Sequence, residues 1–109
     1  MAIEIGMGTD LRGEDSTKAA VRAVKDALHR NALTVADALG FPKEAMIVEI
    51  RIGVPDPGSV DAEAVAACAP YGQVSVEAVE GGLRIPKEKG ATIIANALVS
   101  VSFDIEEAA

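Results

Sequence analysis

Hydrophobic residues recur along the chain with two different periods, which predict strands in some segments and helices in others. At the start, apolar residues take every second position from Ile3 to Met7, as in a strand whose apolar side faces a helix layer. From Thr17 the spacing widens to three or four residues, which is typical of a helix. The apolar stripe of this predicted helix consists of Ala20, Val21, Val24 and Leu28.

The middle of the chain predicts a second strand and a second main helix. Apolar and charged residues alternate from Met46 to Val54, which indicates a strand. The turn sequence PDPG ends it, and Ser59 or Asp61 can open a helix of small residues that runs to Ala69.

The last third of the chain predicts two joined strands and one long final strand. Gly81 and Gly82 separate two strand-like runs, which is a hairpin signal because both central residues of a type I′ turn need positive φ. In the final run every odd position from Ile93 to Ile105 is apolar, whereas the even positions are partly polar. The partly polar side needs water or a neighbouring subunit as cover.

The resulting order, β-α-β-α-β-β, is that of an α/β two-layer sandwich. We expect a four- or five-stranded mixed sheet with two main helices on one face. With 109 residues, the chain has the length of one domain, so the prediction is a single domain over residues 1–109.

Composition adds an expectation of self-association. Half of the residues are apolar, but only Phe41, Tyr71 and Phe103 are aromatic. The core must therefore consist of Val, Ile, Leu and many Ala residues, and small side chains bury little apolar area each. We expect a homo-oligomer, in which more surface is buried between subunits.

Charge and cysteine content limit the classes of binding partner and the cellular compartment that the sequence predicts. A net charge of −7 leaves no surplus of basic residues for nucleic acid or an anionic membrane. The one cysteine, Cys68, cannot form an intrachain disulfide, so a cytoplasmic location is the simplest prediction. We expect neither export nor membrane insertion, because the N-terminus lacks a signal-peptide pattern and no apolar run is long enough. No cofactor is indicated.

The glycine-rich loop after the first strand is the first candidate for chemistry. Gly8 and Gly13 have the spacing of a phosphate-binding P-loop, but Glu14 and Asp15 replace its lysine and hydroxyl residue. A dinucleotide fingerprint also fails, because Leu11 stands at its third glycine position. The sequence therefore argues against nucleotide binding.

A basic stripe follows this loop. Lys18, Arg22, Lys25 and His29 are four, three and four residues apart, so they share one side of the predicted helix. In an acidic protein such a stripe is a candidate site for a small anion or carboxylate, and the alternative is an ordinary solvated helix face. The candidate ligand-binding residues in this region are Gly8, Thr9, Arg12, Gly13, Arg22 and His29.

Acidic residues of the loop allow two further interpretations. As an enzyme, the protein would use Lys18 as a basic or electrostatic group, Asp10 to accept or donate a proton, and the Gly8 and Thr9 amides to bind an oxyanion. Asp10 with Glu14 and Asp15 could instead hold a hard cation, but helix capping is the favoured explanation, and we predict no metal. His29 and Cys68 are the only residues of their types, which excludes zinc sites and Cys-His catalysis within one chain.

A second candidate region lies on the predicted strands. Glu4, Glu49 and Glu77 flank apolar residues and should point away from the helices, where they are solvated if the sheet face is open. If a second subunit covers that face, Glu49, Arg51 and Asn96 could line an interfacial ligand pocket.

Three segments carry a resemblance to a known family. GTDLRGEDSTKAAVRAVKDAL, VEAVEGGL and IANALVSV resemble a small single-domain bacterial family of Lin-type conserved hypothetical proteins. The resemblance covers nearly the whole chain and is most specific from Gly8 to Leu28. That family has no established activity, so it implies a domain and no particular chemistry.

The loop also has a more distant similarity to the repeat unit of ring-opening amidohydrolases, the cyanuric acid hydrolase and barbiturase group. The residues that match their loop and helix are Gly6, Thr9, Asp10 and Gly13, with Lys18 or Arg22 near the helix cation. The catalytic lysine position falls on Met7, and the nucleophile motif has no counterpart. The resemblance implies hydrolysis of C–N bonds and a trimer with one unit per subunit.

Taken together, the sequence predicts a cytoplasmic homo-oligomer with a site for a small polar or anionic molecule, and the more distant resemblance implies that this site is amidohydrolase-like. Two alternatives stay open. One is a non-catalytic ligand-binding or regulatory module, and the other is a purely structural oligomer subunit.

Overall fold

The structure is a computed structural model that describes residues 2–11, 13–28, 46–69 and 72–103. This part of the chain forms five strands and two α-helices, with a 3₁₀ turn at Pro57–Ser59 before the second helix. The elements are β1 (Ala2–Asp10), α1 (Ser16–Leu28), β2 (Met46–Val54), α2 (Ala62–Ala66), β3 (Gln73–Glu80), β4 (Leu83–Pro86) and β5 (Ala91–Phe103). Neither of these helices is long and apolar enough to cross a membrane.

The strands form one mixed sheet in the order β1-β5-β2-β3. The long strand β5 is antiparallel to β1 on one side, and to β2 and β4 on the other. The segment containing α2 connects β2 to β3, which run parallel. Both helices pack against the same sheet, so the predicted α/β two-layer sandwich is confirmed, with five strands.

The predicted hairpin at the two glycines is wrong. β3 pairs with β2, and after Gly81 and Gly82 the chain steps across to pair with β5 as β4. Gly82 has a φ of 61° and a Cβ there would overlap the carbonyl oxygen of Ile94, so the step needs glycine for conformation and for space. The actual hairpin joins β4 to β5, where the Lys87 amide donates to the Gly90 carbonyl at 3.0 Å.

The core lies between α1 and the sheet and is built from small residues on the helix side. The fully buried apolar residues of α1 are Ala19, Ala20, Ala23, Val24 and Ala27. Val21 and Leu28, which the sequence places in the buried stripe, are partly buried at its margin. The sheet contributes the larger side chains, because the odd positions of β5 from Ile93 to Val101 are buried, as predicted.

The orientation of β1 is opposite to the prediction. Gly6 and Gly8 face α1, whereas Ile3, Ile5 and Met7 point to the other face of the sheet and are between 55% and 60% exposed. Glu4 consequently lies on the helix side, and only Glu49 and Glu77 of the three strand glutamates face away from the helices. The sheet therefore has an open face with an apolar region that the helices do not cover.

Candidate functional site

The glycines of the first predicted site hold α1 close to β1. A Cβ on Gly6 would overlap the Ala23 carbonyl oxygen, and one on Gly8 would overlap backbone atoms of Ala19 and Ala23. These two glycines thus serve helix packing, because any side chain would force the helix away from the strand. Thr9 follows on the open-face side of β1, half-buried, opposite Ile94 of β5.

Asp10 is buried at the end of β1, where it organises the loop that leads into α1. Its side chain is only 10% exposed and accepts a hydrogen bond from the Asp15 amide at 2.9 Å. The same carboxylate lies 3.5 Å from the Arg22 guanidinium. A Cβ on Gly13 would come within 2.9 Å of the Asp10 carboxylate, so Gly13 leaves room for this contact. The charge of Asp10 is thereby neutralised within the chain.

The other two acids of the loop also have partners. Asp15 caps α1, since its side chain accepts the Lys18 amide hydrogen at 3.0 Å. Glu14 adopts a left-handed conformation with φ of 52° and contacts the Arg84 guanidinium at 3.3 Å, which ties the loop to β4. These contacts account for the acidic residues without a cation.

The residues of the basic stripe differ in their contacts. Arg22 donates a 2.6 Å hydrogen bond to the Thr9 carbonyl oxygen in addition to its pairing with Asp10. Lys18 and Lys25 have exposed side chains on the same helix. His29 of the stripe and Arg12, both candidate ligand-binding residues, lie outside the described residues. The anion-binding role of the stripe stays a prediction.

The second predicted region forms a depression of about 400 Å³ on the open face of the sheet. We call it the polar depression, and its lining side chains are Glu49, Arg51, Ser75, Glu77, Leu98 and Ser100. Cross-strand register brings them together, because Glu49 stands opposite both Ser75 of β3 and Ser100 of β5. Arg51 stands opposite Glu77, and the Arg51 Nε atom lies 3.6 Å from a Glu77 carboxylate oxygen.

Sequence reasoning identified part of this depression. Glu49 and Arg51 line it, whereas Asn96 lies opposite Gly53, one row further along the sheet. Ser75 and Ser100 were missed, and Glu77 was considered only as a solvated charge. The missing signal is the parallel pairing of β2 with β3, since that register is set by the whole sheet and no local sequence pattern reports it.

An apolar region adjoins the polar depression on the same face. We call it the apolar patch, formed by Ile3, Ile5, Met7, Leu83, Ile85 and Leu98, each at least 40% exposed. Leu98 belongs to both regions and stands opposite Ile5 of β1 on one side and Arg51 of β2 on the other. Apolar patches rimmed by polar residues are typical of interaction surfaces.

Cys68 lies near α1, away from the open face. Partial burial raises the pKa of its thiol above the ordinary value, and the nearby Lys25 charge opposes this effect. The sulfur atom lies 3.7 Å from the Ala64 carbonyl oxygen, to which the thiol can donate. A raised pKa leaves the thiol protonated at neutral pH, which does not favour a nucleophilic role.

The fold and these surfaces define the chain as a small α/β two-layer protein in which the two described helices leave one sheet face uncovered. A solved structure from Nostoc punctiforme, described as an FtsZ-like protein of unknown function, is similar to it with a TM-score of 0.84 and 34% sequence identity. The similarity covers 93% of this chain and 92% of that one. The chain belongs to the Lin0512 family of conserved hypothetical proteins, whose pattern matches residues 1–101. No curated protein matches it.

The family assignment confirms the first of the two resemblances in the sequence. The similarity to ring-opening amidohydrolases is not tested by these comparisons and stays a prediction.

Proposed function

We propose that the protein is a homo-oligomeric subunit that binds a small polar or anionic molecule at a site completed by a neighbouring copy. The observation that carries this proposal is the pairing of the apolar patch with the polar depression on one open sheet face. The patch gains stability when a second subunit covers it, and the depression supplies the polar groups that orient a ligand.

The size of the open face supports association between copies. The width of the face follows from its four main strands, which lie about 4.8 Å apart. Its length follows from β1 and β2, which have nine residues each with a rise of about 3.4 Å per residue. The resulting plane of roughly 600 Å² is comparable with the ~800 Å² per partner in stable protein interfaces. The resemblance to ring-opening amidohydrolases suggests three copies.

The polar depression supports a ligand that carries an anionic or strongly polar group. The ion pair of Arg51 with Glu77 is exposed on both sides and 3.6 Å long, so water screens it and it contributes little to stability. Arg51 can therefore exchange Glu77 for a carboxylate, while Ser75 and Ser100 offer hydroxyl groups beside it. A covering subunit would exclude water and strengthen these contacts.

The same composition supports a cytoplasmic location without a nucleic-acid partner. The net charge of −7 disfavours polyanions, and a chain with one cysteine needs no oxidising compartment.

The experiment combines a mass measurement with a ligand screen. Sedimentation should give a multiple of the chain mass, and small carboxylates and polar amides should be screened by thermal shift. Arg51→Met should abolish the shift of a positive ligand, whereas Lys87→Met, in the exposed β4–β5 loop, should leave it unchanged. A monomer at all concentrations, or a shift unaffected by Arg51→Met, contradicts the proposal.

A C–N bond hydrolase is the second candidate, supported by Lys18, whose exposed side chain lies in the first turn of α1. In that scheme Lys18 is the basic group and Asp10 handles the proton near the Gly8 and Thr9 amides. The contacts of Asp10 with Asp15 and Arg22 favour binding over catalysis, because they already use its carboxylate. Unchanged turnover of a hydrolysed amide by Lys18→Met would exclude this role.

A further inference from the structure

The charged side chains of the polar depression are unequally paired. Arg51 stands opposite Glu77, and its Nε atom lies 3.6 Å from the Glu77 carboxylate, which is too far for a hydrogen bond. Glu49 comes two residues before Arg51 on β2 and therefore lies on the same face of the sheet. Within the described part of the chain, the Glu49 carboxylate has no ion pair and no side-chain hydrogen bond. The depression thus contains an acidic group without a basic partner among the described residues.

The balance of charge in the depression limits the kind of ligand that it can hold. Two carboxylates and one guanidinium line it, so negative charge is in excess. A ligand that brought only a carboxylate to Arg51 would displace Glu77 and leave both glutamates without a counter-ion. A ligand that also carries an ammonium group replaces the counter-ion that it takes away.

The row of side chains around Glu49 is suited to an ammonium group. Glu49 stands between Ser75 of β3 and Ser100 of β5. The carboxylate and the two hydroxyl oxygens offer three acceptors, and an ammonium group has three donors. An exposed glutamate is stable in water without a partner, so the indication comes from its position between two hydroxyl groups and beside Arg51.

The next row adds an apolar contact beside the guanidinium. Leu98 stands opposite Arg51 on β5, on the side away from Glu77, and is 40% exposed. Glu49 and Arg51 are about 7 Å apart along β2, because two residues of a strand span this length. A basic group, an acidic group and an aliphatic surface therefore lie within the reach of one small molecule.

We propose that the polar depression binds an α-amino acid with an aliphatic side chain. Its carboxylate pairs with Arg51, its ammonium group with Glu49, and its side chain lies on Leu98. The volume of about 400 Å³ is within the range of roughly 300–1,000 Å³ found for small-molecule sites. This inference rests on the proposed function, of which it specifies the class of ligand.

The first test compares L-leucine with analogues that lack one group each, by isothermal titration calorimetry on the full chain. 4-Methylpentanoate lacks the ammonium group, and 3-methylbutylamine lacks the carboxylate. Leucine should bind at least about tenfold more tightly than either, because each analogue loses a charge-assisted contact. Glycine should bind at least about fivefold more weakly than leucine, because it leaves Leu98 uncovered.

The second test changes the residue that recognises the ammonium group. Glu49→Gln should weaken leucine binding about tenfold. The same variant should strengthen 4-methylpentanoate binding about twofold, because a carboxylate that repels this anion is removed. Glu88→Gln is the matched control, since it makes the same change in the exposed β4–β5 loop, and it should leave both affinities unchanged.

The possible failures separate this inference from the proposed function. Equal affinities for leucine and 4-methylpentanoate, both lost in Arg51→Met, overturn the amino-acid specificity and leave the proposed function intact. The inference is also overturned if leucine does not bind, if 3-methylbutylamine binds equally well, or if Glu49→Gln keeps the wild-type affinity for leucine. Binding that Arg51→Met does not weaken contradicts both. Sedimentation of the same samples reports a loss of assembly separately from a loss of ligand specificity.

Discussion

Glycine at two positions of β1 sets how closely α1 approaches the sheet. Gly6 and Gly8 place no Cβ between strand and helix. The residues of α1 that face them are also small, namely Ala19, Ala23 and Ala27. Backbone then packs almost directly against backbone, so small residues can fill the space at normal density. Gly8, the first of the two glycines with phosphate-loop spacing, is thus explained by packing.

Replacing Gly8 by alanine should destabilise the protein severely. The new Cβ would overlap backbone atoms of Ala19 and Ala23, which cannot move without displacing the helix. We expect a loss of at least about 3 kcal/mol in the free energy of unfolding, measured by urea denaturation. Gly58→Ala is the control, because its Cβ meets nothing closer than 3.8 Å, and it should change stability by less than about 1 kcal/mol. Equal losses would contradict the packing role.

The thiol of Cys68 should react at higher pH in the folded protein than in the unfolded chain. Burial raises its pKa, so the reactive thiolate forms later as pH increases. The rate of alkylation by iodoacetamide, followed against pH with and without urea, measures this difference. Lys25→Met removes the charge that lowers the pKa and should move the folded profile to still higher pH. Coincident folded and unfolded profiles would refute the effect of burial.

Among the elements, the sequence predicts those whose pattern is local. β2 has the predicted bounds, Met46–Val54, and the odd positions of β5 are buried as expected. The step at Gly81 and Gly82 could not be predicted in this way. A hairpin and a step between neighbouring strands both need glycine, and only the pairing partners of β3 and β4 distinguish them.

The inverted orientation of β1 has a similar cause. Alternation identifies two sides of a strand, but assigning the apolar side to the core assumes that the core needs large residues. Here α1 needs the glycine side, so Ile3, Ile5 and Met7 turn outward. For the candidate site, the sequence supplied Glu49 and Arg51, while Ser75 and Ser100 depend on long-range register.

The stability of helix α2 should depend on its N-capping residue, Asp61. The Asp61 carboxylate accepts hydrogen bonds from the Glu63 and Ala64 amides, which matters in a helix of five residues. Asp61→Ala should lower the free energy of unfolding by about 1 kcal/mol in urea denaturation. The control is Asp56→Ala, because Asp56 precedes the 3₁₀ turn without a side-chain cap bond. If both variants lose the same stability, the cap is not the cause.

At the scale of the whole molecule, a core of small residues and an uncovered apolar patch are two consequences of the same packing. Close contact between α1 and β1 uses the glycine side of β1 and leaves its large side chains on the open face. Much of the apolar area in β1 is therefore available to a partner and is not part of the core. Association through this face would bury the apolar side chains of β1 that remain exposed in a single chain.

A charge in the apolar patch should separate the subunits while leaving each one folded. Ile5→Lys changes a side chain that is 60% exposed in the single chain, so the helix-facing core is untouched. In an assembly through the open face, each copy would bury an unpaired ammonium group, which costs several kcal/mol. Sedimentation should then give the mass of one chain, with an unchanged circular dichroism spectrum. Leu11→Lys is the matched control, since Leu11 is 57% exposed but lies in the loop after β1. An Ile5→Lys protein that keeps the wild-type oligomeric mass would show that the copies meet through another surface.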